Sequence, residues 1–255
     1  MPHVPRILIV DDDPIIAHLV TTMLQTKGYG IAGIVETGEE AVIKAAELAP
    51  DLVIMDVGLA GSLDGMDAAT YIFQLFHHPI LFITGITEEE KLDRLKYSRP
   101  YGIVFKPFTM IEITTMVDLA IYNHANRPAA GEECYPAGDP KVMMEMLEAV
   151  YLTDRRGRII FFNTYAAWFA DIPARQIMMK HWRDVLMFVD DQTGEEVKDP
   201  VAEAVRNMTG TILESRTSVV TTTSKSRKAR VVVRPVKDDH GRFLAVMISI
   251  KEKTA

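Results

Sequence analysis

The feature that most constrains this chain is the regular alternation of short apolar runs with longer amphipathic segments through its first half. Five apolar runs predict strands: RILIV, IAGIVE, DLVIMD, PILFIT and YGIVFK. A first helix is predicted to begin at Asp13-Pro14, and four more are predicted at Gly38–Leu48, Met66–Phe76, Glu88–Tyr97 and Thr109–His124. Apolar strands separated by helices favour a five-stranded, doubly wound parallel sheet of the α/β class.

Polar residues follow four of these strands, at the ends where a parallel sheet binds its ligands. They are Asp11, Asp12 and Asp13 after the first strand, Asp56 after the third, Thr84 after the fourth and Lys106 after the fifth. Each alone has an ordinary interpretation as a helix cap, a turn residue or a surface charge. Together, clustered carboxylates repel each other and need a cation, and Mg²⁺ prefers such oxygen ligands.

These residue types suit phosphoryl transfer, which requires positioning and charge neutralisation. Asp56 is predicted to be the nucleophile, as carboxylates are in aspartyl-phosphate chemistry. Thr84 offers a hydroxyl donor to a phosphoryl oxygen, and Lys106 offers a compact positive charge.

In order along the chain, IVDDDP, LVIMDVGLAGSLDGMDAA, ILFITG and YGIVFKPF resemble the motifs of the response-regulator receiver family, over residues 5 to about 125. The resemblance implies a flavodoxin-like fold and a partner histidine kinase that phosphorylates Asp56. It implies that Asp11, Asp12 and Asp56 hold Mg²⁺, with the backbone carbonyl of Gly58 completing the site.

The same resemblance implies that Asp13 caps the first helix and that the Lys106–Pro107 peptide bond is often cis. One position departs from the family pattern, because Ile103 stands where receivers commonly carry a Tyr or Phe that moves with the threonine. Either Tyr101 or Phe105 takes over that role, or activation moves a different surface.

A linker is predicted at 127–139, where RPAAGEECYPAGDP is rich in proline and glycine and has no apolar period. It separates a receiver domain at 1–126 from a second domain at 140–255. The second domain is predicted to open with a short helix at 141–149 and a hairpin in YLTDRRGRIIFFN. Helical segments at roughly 164–187, a helix in VAEAVRNM and β-rich runs near 212–223, 229–236 and 243–251 follow. This order favours an α+β domain with an antiparallel sheet.

The second domain resembles the PAS family through Asp154, Gly157, Ile159 and Asn163, which fit a tight turn, an apolar strand and a strand-to-helix tie. The resemblance implies a binding site for a small molecule, flavin or haem, and the ligand stays unknown. The domain has no cysteine, which excludes a flavin-cysteinyl adduct.

Haem is disfavoured because the domain's two histidines, His181 and His240, fall in a predicted interhelical segment and a predicted turn. The segment 141–149 either pairs with its copy in a homodimer or covers the sheet. The basic residues of 225–230 are interpreted as a solvated face.

No apolar run approaches the roughly 20 residues needed to cross a bilayer, which favours a cytoplasmic protein without a membrane partner. The single cysteine, Cys134, agrees with a reducing compartment. The net charge of −7 lies in the first half, so a nucleic-acid surface is not expected.

The leading hypothesis is a two-component response regulator that acts through protein contacts, with no DNA-binding domain. Enzymatic activity is not expected beyond self-phosphorylation and dephosphorylation with Mg²⁺. Two alternatives stay open: a PAS ligand-sensing adaptor with a phosphate-sink receiver, and the N-terminal part of a hybrid histidine kinase.

Overall fold

The computed structural model of the chain describes residues 3–85, 100–126, 140–173, 176–213, 217–223, 225–238 and 240–252. Two units can be distinguished, Met1–Tyr135 and Pro136–Ala255. The predicted linker at 127–139 and the predicted helix at Glu88–Tyr97 lie outside the described residues, so both stay predictions. None of the helices within the described ranges is long and apolar enough to span a membrane.

The first unit is a five-stranded parallel sheet with the strand order β2-β1-β3-β4-β5. The strands are Arg6–Val10 (β1), Gly30–Val35 (β2), Leu52–Asp56 (β3), Ile80–Thr84 (β4) and Gly102–Phe105 (β5). The described helices are Pro14–Lys27 (α1), Gly38–Leu48 (α2), Gly65–Phe76 (α3) and Met110–Ala125 (α4). The predicted flavodoxin-like α/β architecture is therefore confirmed.

Local sequence explains where these helices begin. The Asp13 carboxylate accepts a hydrogen bond from the Ile15 N–H at 2.8 Å, which caps α1 as predicted. Thr109 and Glu112 form a reciprocal capping box at the start of α4. Every residue of β3 and β4 is buried, as expected for central strands covered on both faces.

The second unit is built on an antiparallel sheet with the order β7-β6-β12-β11-β10-β8, and β9 pairs with β11. Its strands are Ala149–Thr153 (β6), Ile159–Phe162 (β7), Leu186–Asp190 (β8), Thr211–Leu213 (β9), Thr217–Thr221 (β10), Ser226–Lys237 (β11) and Phe243–Glu252 (β12). Its helices are Pro140–Glu145 (α5), Thr164–Ala170 (α6) and Pro200–Asn207 (α7). The predicted α+β class is confirmed.

Two boundaries predicted in the second unit are wrong. The helix predicted at 141–149 ends at Glu145, because the Asn163 side chain takes the carbonyl oxygens of Met146 and Glu148 as acceptors and Ala149 already lies in β6. The helical region predicted to reach 187 ends in a 3₁₀ turn at Trp182–Asp184, and β8 begins at Leu186. β8 exists because it pairs with β10, a partner about thirty residues away.

Candidate functional site

The carboxyl ends of β1 and β3 bring three predicted site residues together. These strands are parallel neighbours with Val10 opposite Met55, so Asp11 and Asp56 leave the same edge of the sheet side by side. The strand order reverses between β1 and β3, which is where open α/β sheets bind ligands. Carboxylate oxygens of Asp11, Asp12 and Asp56 lie within 4.8 Å of one another.

Lys106 is the basic member of this cluster, and it directly follows the edge strand β5, which lies two strands away from β3. Its backbone N–H donates to the Thr84 carbonyl at 2.8 Å, which fixes the start of the loop after β5. Its Nζ lies 3.0 Å from Asp11 Oδ2 and 3.4 Å from Asp56 Oδ1. The Lys106–Pro107 peptide bond is cis, as predicted from the receiver resemblance.

The charges of this site are not balanced. Asp11 and Asp56 are only 3% and 8% exposed, whereas Asp12 is exposed, and Lys106 is the basic partner that reaches Asp11 and Asp56 among the described residues. Two carboxylates about 5 Å apart repel each other by roughly 3 kcal/mol at an effective dielectric constant of about 20. Three hard oxygen ligands with surplus negative charge fit a divalent cation such as Mg²⁺.

The electrostatics of the individual groups reflect that imbalance. Burial raises the pKa of the Asp56 carboxyl, and the nearby Asp11 charge adds to this, against the opposing effects of Lys106 and the Gly58 N–H. Burial lowers the pKa of Lys106, but its hydrogen bond to Asp11 and the charge of Asp56 outweigh that loss, and the net pKa is raised. The ammonium is therefore held charged beside carboxylates that repel each other.

Thr84 and Gly58 flank the cluster. Thr84 ends β4 and is fully buried, one residue beyond the Ile83 that pairs with Asp56. The Gly58 N–H donates to the Asp56 carboxylate. The roles assigned to Thr84 as a phosphoryl-oxygen donor and to the Gly58 carbonyl as a metal ligand stay predictions.

The sequence interpretation missed how the loop between β3 and α3 (57–64) is held. A Cβ at Gly65 would lie 2.0 Å from the Asp56 carbonyl oxygen, so the start of α3 can approach β3 only with glycine there. The Ala60 N–H donates to Asp12 Oδ2 at 3.3 Å, and Glu39 accepts two further bonds from this loop. The glycines at 58, 61 and 65 signal a close turn in the sequence, but nothing in the sequence signals Glu39.

The departure at Ile103 lies beside an apolar groove. Ile103 lines a groove of about 500 Å³ together with Phe105, Pro107, Ile111 and Met116. Tyr101 Oη is 3.0 Å from His124 Nδ1, and Phe105 is 49% exposed. Which of these side chains responds to phosphorylation stays open.

In the second unit, the residues that carry the PAS resemblance hold the backbone. Gly157 has φ +77 in the turn after β6, and Asp154 accepts bonds from the Arg156 and Arg158 N–H groups. The Asn163 oxygen accepts from Val150 N–H at 3.1 Å, which ties the start of α6 to β6.

The other second-unit residues singled out from the sequence have ordinary contacts. His181 Nδ1 accepts from the Arg183 N–H at the 3₁₀ turn, and His240 is exposed in the turn before β12. Within the basic run, Lys225 pairs with Asp171 at 2.6 Å, and Arg227 pairs with Glu252 at 3.1 Å. The interpretation of that run as a solvated face is therefore wrong for Arg227, whose side chain is only 16% exposed.

Both units match known families. Residues 7–118 match the family description of a response regulator receiver domain, and residues 146–255 match that of a PAS fold. The chain is 31% identical over 150 residues to the transcriptional regulatory protein PdtaR of Mycobacterium tuberculosis. The aligned region covers 59% of this chain and 70% of that protein.

It is 29% identical over 118 residues to the phyllosphere-induced regulator PhyR of Methylorubrum extorquens, over 46% of this chain and 43% of that protein. Among solved structures, the signal receiver domain of a modulated diguanylate cyclase from Desulfovibrio desulfuricans G20 aligns with a TM-score of 0.47 and 32% identity, over 48% of this chain and 98% of that one.

Proposed function

Since the chain belongs to the response regulator family and carries a receiver domain followed by a PAS domain, we propose that a partner histidine kinase phosphorylates it on Asp56. The observation that carries this proposal is the unbalanced charge at the strand-order reversal. There Lys106 is shared between the buried Asp11 and Asp56 carboxylates, and Asp12 adds a third negative charge.

In the proposed reaction, an Asp56 carboxylate oxygen attacks the phosphorus of a phosphohistidine. The new O–P bond forms as the P–N bond breaks, and the electron pair stays on the imidazole nitrogen, which takes a proton from solvent. The transferring group carries negative charge on three oxygens, so positive charge and hydrogen-bond donors stabilise it. Lys106 supplies the charge, and Thr84 supplies a hydroxyl donor from the end of β4.

The carboxylates of Asp11, Asp12 and Asp56, with the Gly58 carbonyl, would hold Mg²⁺ at this site. A bound Mg²⁺ supplies neutralisation of the phosphoryl oxygens. Lys106 would give up its bond to Asp11 and follow the phosphoryl group, a movement that its flexible stem permits.

For output, we propose protein contact through the PAS domain rather than DNA binding. Neither of the two families matched is a DNA-binding domain. PdtaR is named as a transcriptional regulatory protein, and this description applies to PdtaR and not to the present chain.

The primary test is intact mass measurement after incubation with acetyl phosphate and Mg²⁺, beside Asp56→Asn and a sample with EDTA. We expect a labile gain of one phosphoryl group in the unchanged protein and none in either control. A folded protein that gains nothing would contradict the assignment of Asp56 as acceptor.

The output proposal has a separate test. Hydrogen exchange across the full chain should change in peptides of the PAS domain when the receiver is phosphorylated, and Asp56→Asn should remove that change. Identical exchange of all PAS peptides in the two states would contradict signalling through this domain.

A further inference from the structure

Glu39 links helix α2 to the loop that follows the proposed phosphorylation site. It lies in the first turn of α2, and its Oε1 accepts hydrogen bonds from the backbone N–H groups of Ser62 at 2.9 Å and Leu63 at 3.1 Å. Two bonds from adjacent amides to one ionised oxygen are stronger than neutral hydrogen bonds and fix the orientation of the peptide plane between them.

The backbone around this carboxylate is shaped to let it in. Gly61 has φ +140, and a Cβ there would lie 3.0 Å from Glu39 Oε2. A Cβ at Gly38 would lie 2.5 Å from the Leu63 carbonyl oxygen, so the backbones of α2 and the loop approach too closely for any residue but glycine. Glu39 Oε2 is buried and has no hydrogen-bond partner among the described residues. Burying a carboxylate oxygen in this way costs free energy, and the contacts of Oε1 must offset it.

The same loop also donates backbone hydrogen bonds to the acidic cluster. The Ala60 N–H donates to Asp12 Oδ2 at 3.3 Å, and the Gly58 N–H donates to the Asp56 carboxylate. Glu39 fixes the loop only two residues after Ala60. The hydrogen bonds of Glu39 therefore help to fix the positions of the Ala60 and Gly58 backbone groups relative to Asp12 and Asp56.

We propose that Glu39 is a positioning residue for the metal and phosphoryl site, which it serves by fixing the β3–α3 loop. This inference rests on the proposed function, because it concerns the same cluster. The hydrogen bonds of the Glu39 side chain go to the Ser62 and Leu63 N–H groups of the loop, so its effect is on Mg²⁺ affinity more than on the chemistry of a saturated site. Loss of hydrogen bonds that orient metal ligands directly lowers metal affinity by roughly 10- to 100-fold. Glu39 acts through the loop instead, so we expect an effect at the lower end of that range.

The test is calorimetric Mg²⁺ titration of the full chain, together with the Mg²⁺ dependence of phosphorylation by acetyl phosphate. Glu39→Ala should raise the Mg²⁺ concentration at half saturation about 10-fold in both measurements. The phosphorylation rate at saturating Mg²⁺ should stay within about 2-fold of the unchanged protein. Glu39→Gln keeps an acceptor oxygen for Ser62 and Leu63, so it should restore most of the affinity.

Glu40→Ala is the matched control. Glu40 is also in the first turn of α2, but its side chain is exposed, so this change removes the same charge from the same helix end. It should leave Mg²⁺ affinity unchanged. Equal affinities in Glu39→Ala, Glu40→Ala and the unchanged protein would overturn the inference, even if Glu39→Ala lowers the melting temperature.

Two further outcomes separate the inference from the function on which it rests. If the unchanged protein binds no Mg²⁺ and gains no phosphoryl group, both fail. If it does both and only the Glu39 comparison is flat, the inference alone fails. Should Glu39→Ala not fold, Glu39→Asp keeps the charge and shortens the reach, and it is expected to weaken Mg²⁺ binding about as much.

Discussion

Buried polar residues have opposite surroundings in the two units. In the receiver, Asp11, Asp56 and Lys106 are held against each other with more negative than positive charge. In the PAS domain, Asn163 is fully buried, accepts from two backbone N–H groups and donates to three carbonyl oxygens. Asp154 is similarly saturated by two backbone N–H groups and the Arg158 side chain.

The difference teaches which buried polar groups to suspect of chemistry. A polar side chain whose hydrogen bonds are complete stabilises the backbone around it and has nothing left to offer a ligand. A cluster with uncompensated charge costs free energy until a ligand arrives, and it is therefore a candidate for binding or reaction. Changing the two kinds of site should shift stability in different directions.

The largest expected effect is at Asn163. Asn163→Ala removes the side-chain acceptor of the Val150 and Ala166 N–H groups, of which the Ala166 N–H keeps the backbone carbonyl of residue 163, and it removes the donor to the Met143 and Glu148 carbonyls. The free energy of unfolding of the PAS domain should therefore fall by about 3 kcal/mol. Urea unfolding followed by tryptophan fluorescence measures this unit selectively, because both tryptophans of the chain, Trp168 and Trp182, belong to it.

Asn207→Ala is the control for that measurement, because Asn207 is an exposed asparagine at the end of α7 in the same unit. It should change stability by less than about 0.5 kcal/mol. Phosphorylation of the receiver should be unaffected by either change at low urea. An Asn163→Ala protein as stable as the Asn207→Ala protein would show that the network of Asn163 is not what holds this domain together.

The next effect concerns His78 in the receiver, which precedes β4 at the sheet edge opposite the acidic cluster. Its Nε2 is buried without a partner among the described residues, and burial lowers the pKa of His78 to about 4. The unfolded chain takes up a proton near the ordinary value of 6.5 and the folded chain does not. Stability is therefore lost as pH falls from about 6.5 towards 4, by roughly 2 kcal/mol at pH 5.

Hydrogen exchange of receiver peptides between pH 7.5 and 5, corrected for intrinsic exchange rates, measures this loss in the first unit. In His78→Phe the corresponding loss should be absent, whatever the starting stability of that variant. If both proteins lose the same stability, groups other than His78 govern the acid sensitivity. The acidic cluster would then be the site in the receiver where buried polar groups lack full compensation.

The sharpest comparison uses one substitution in both units. Asp56→Asn removes a buried charge whose pKa is raised in the folded state, so the ionised carboxylate costs stability at pH 7, and that cost fades as pH falls through the folded pKa. Without Mg²⁺, Asp56→Asn should raise receiver stability by on the order of 1 kcal/mol. Asp154→Asn breaks a charge-assisted pair with Arg158 and should lower PAS stability by about as much.

Receiver stability in EDTA, followed by hydrogen exchange, and PAS stability, followed by tryptophan fluorescence, give the two signs. Added Mg²⁺ should reverse the order at residue 56, since only the unchanged protein keeps all three carboxylates. A loss of stability in both variants would mean that Lys106 already compensates the receiver cluster, and the distinction between the two units would fail.

The sequence predicts most of the receiver because its determinants are local. Apolar runs mark the five strands, and Asp13-Pro14 and Thr109 mark helix starts, all within a few residues of the element concerned. The site follows from topology, since the carboxyl ends of parallel strands share one edge. Asp11, Asp12, Asp56 and Lys106 therefore meet as expected, although the sequence does not indicate which carboxylates Lys106 contacts.

What the sequence does not predict depends on contacts between distant residues. The strand β8 exists because Phe188 and Val189 pair with β10, and the helix α5 ends early because Asn163 takes carbonyl groups upstream of β6. Glu39 is similar, because its two acceptor bonds go to a loop more than twenty residues away. Local propensity carries no information about such pairings.

The smallest expected effect concerns Arg227 and tests whether its ion pair with Glu252 stabilises the PAS domain. The Arg227 guanidinium bonds Glu252 at 3.1 Å and lies 4.6 Å and 5.0 Å from the ring centres of Trp168 and Phe169. A double-mutant cycle of Arg227→Gln and Glu252→Gln should give a coupling of about 0.5 kcal/mol that decreases with salt. The single Arg227→Gln change should cost more than that coupling, because it also removes the contacts with both rings. Equal effects of the two single changes, with no coupling, would show that neither the Glu252 pair nor the ring contacts of Arg227 stabilise the domain, and complete pairing would then matter only for buried polar residues such as Asn163.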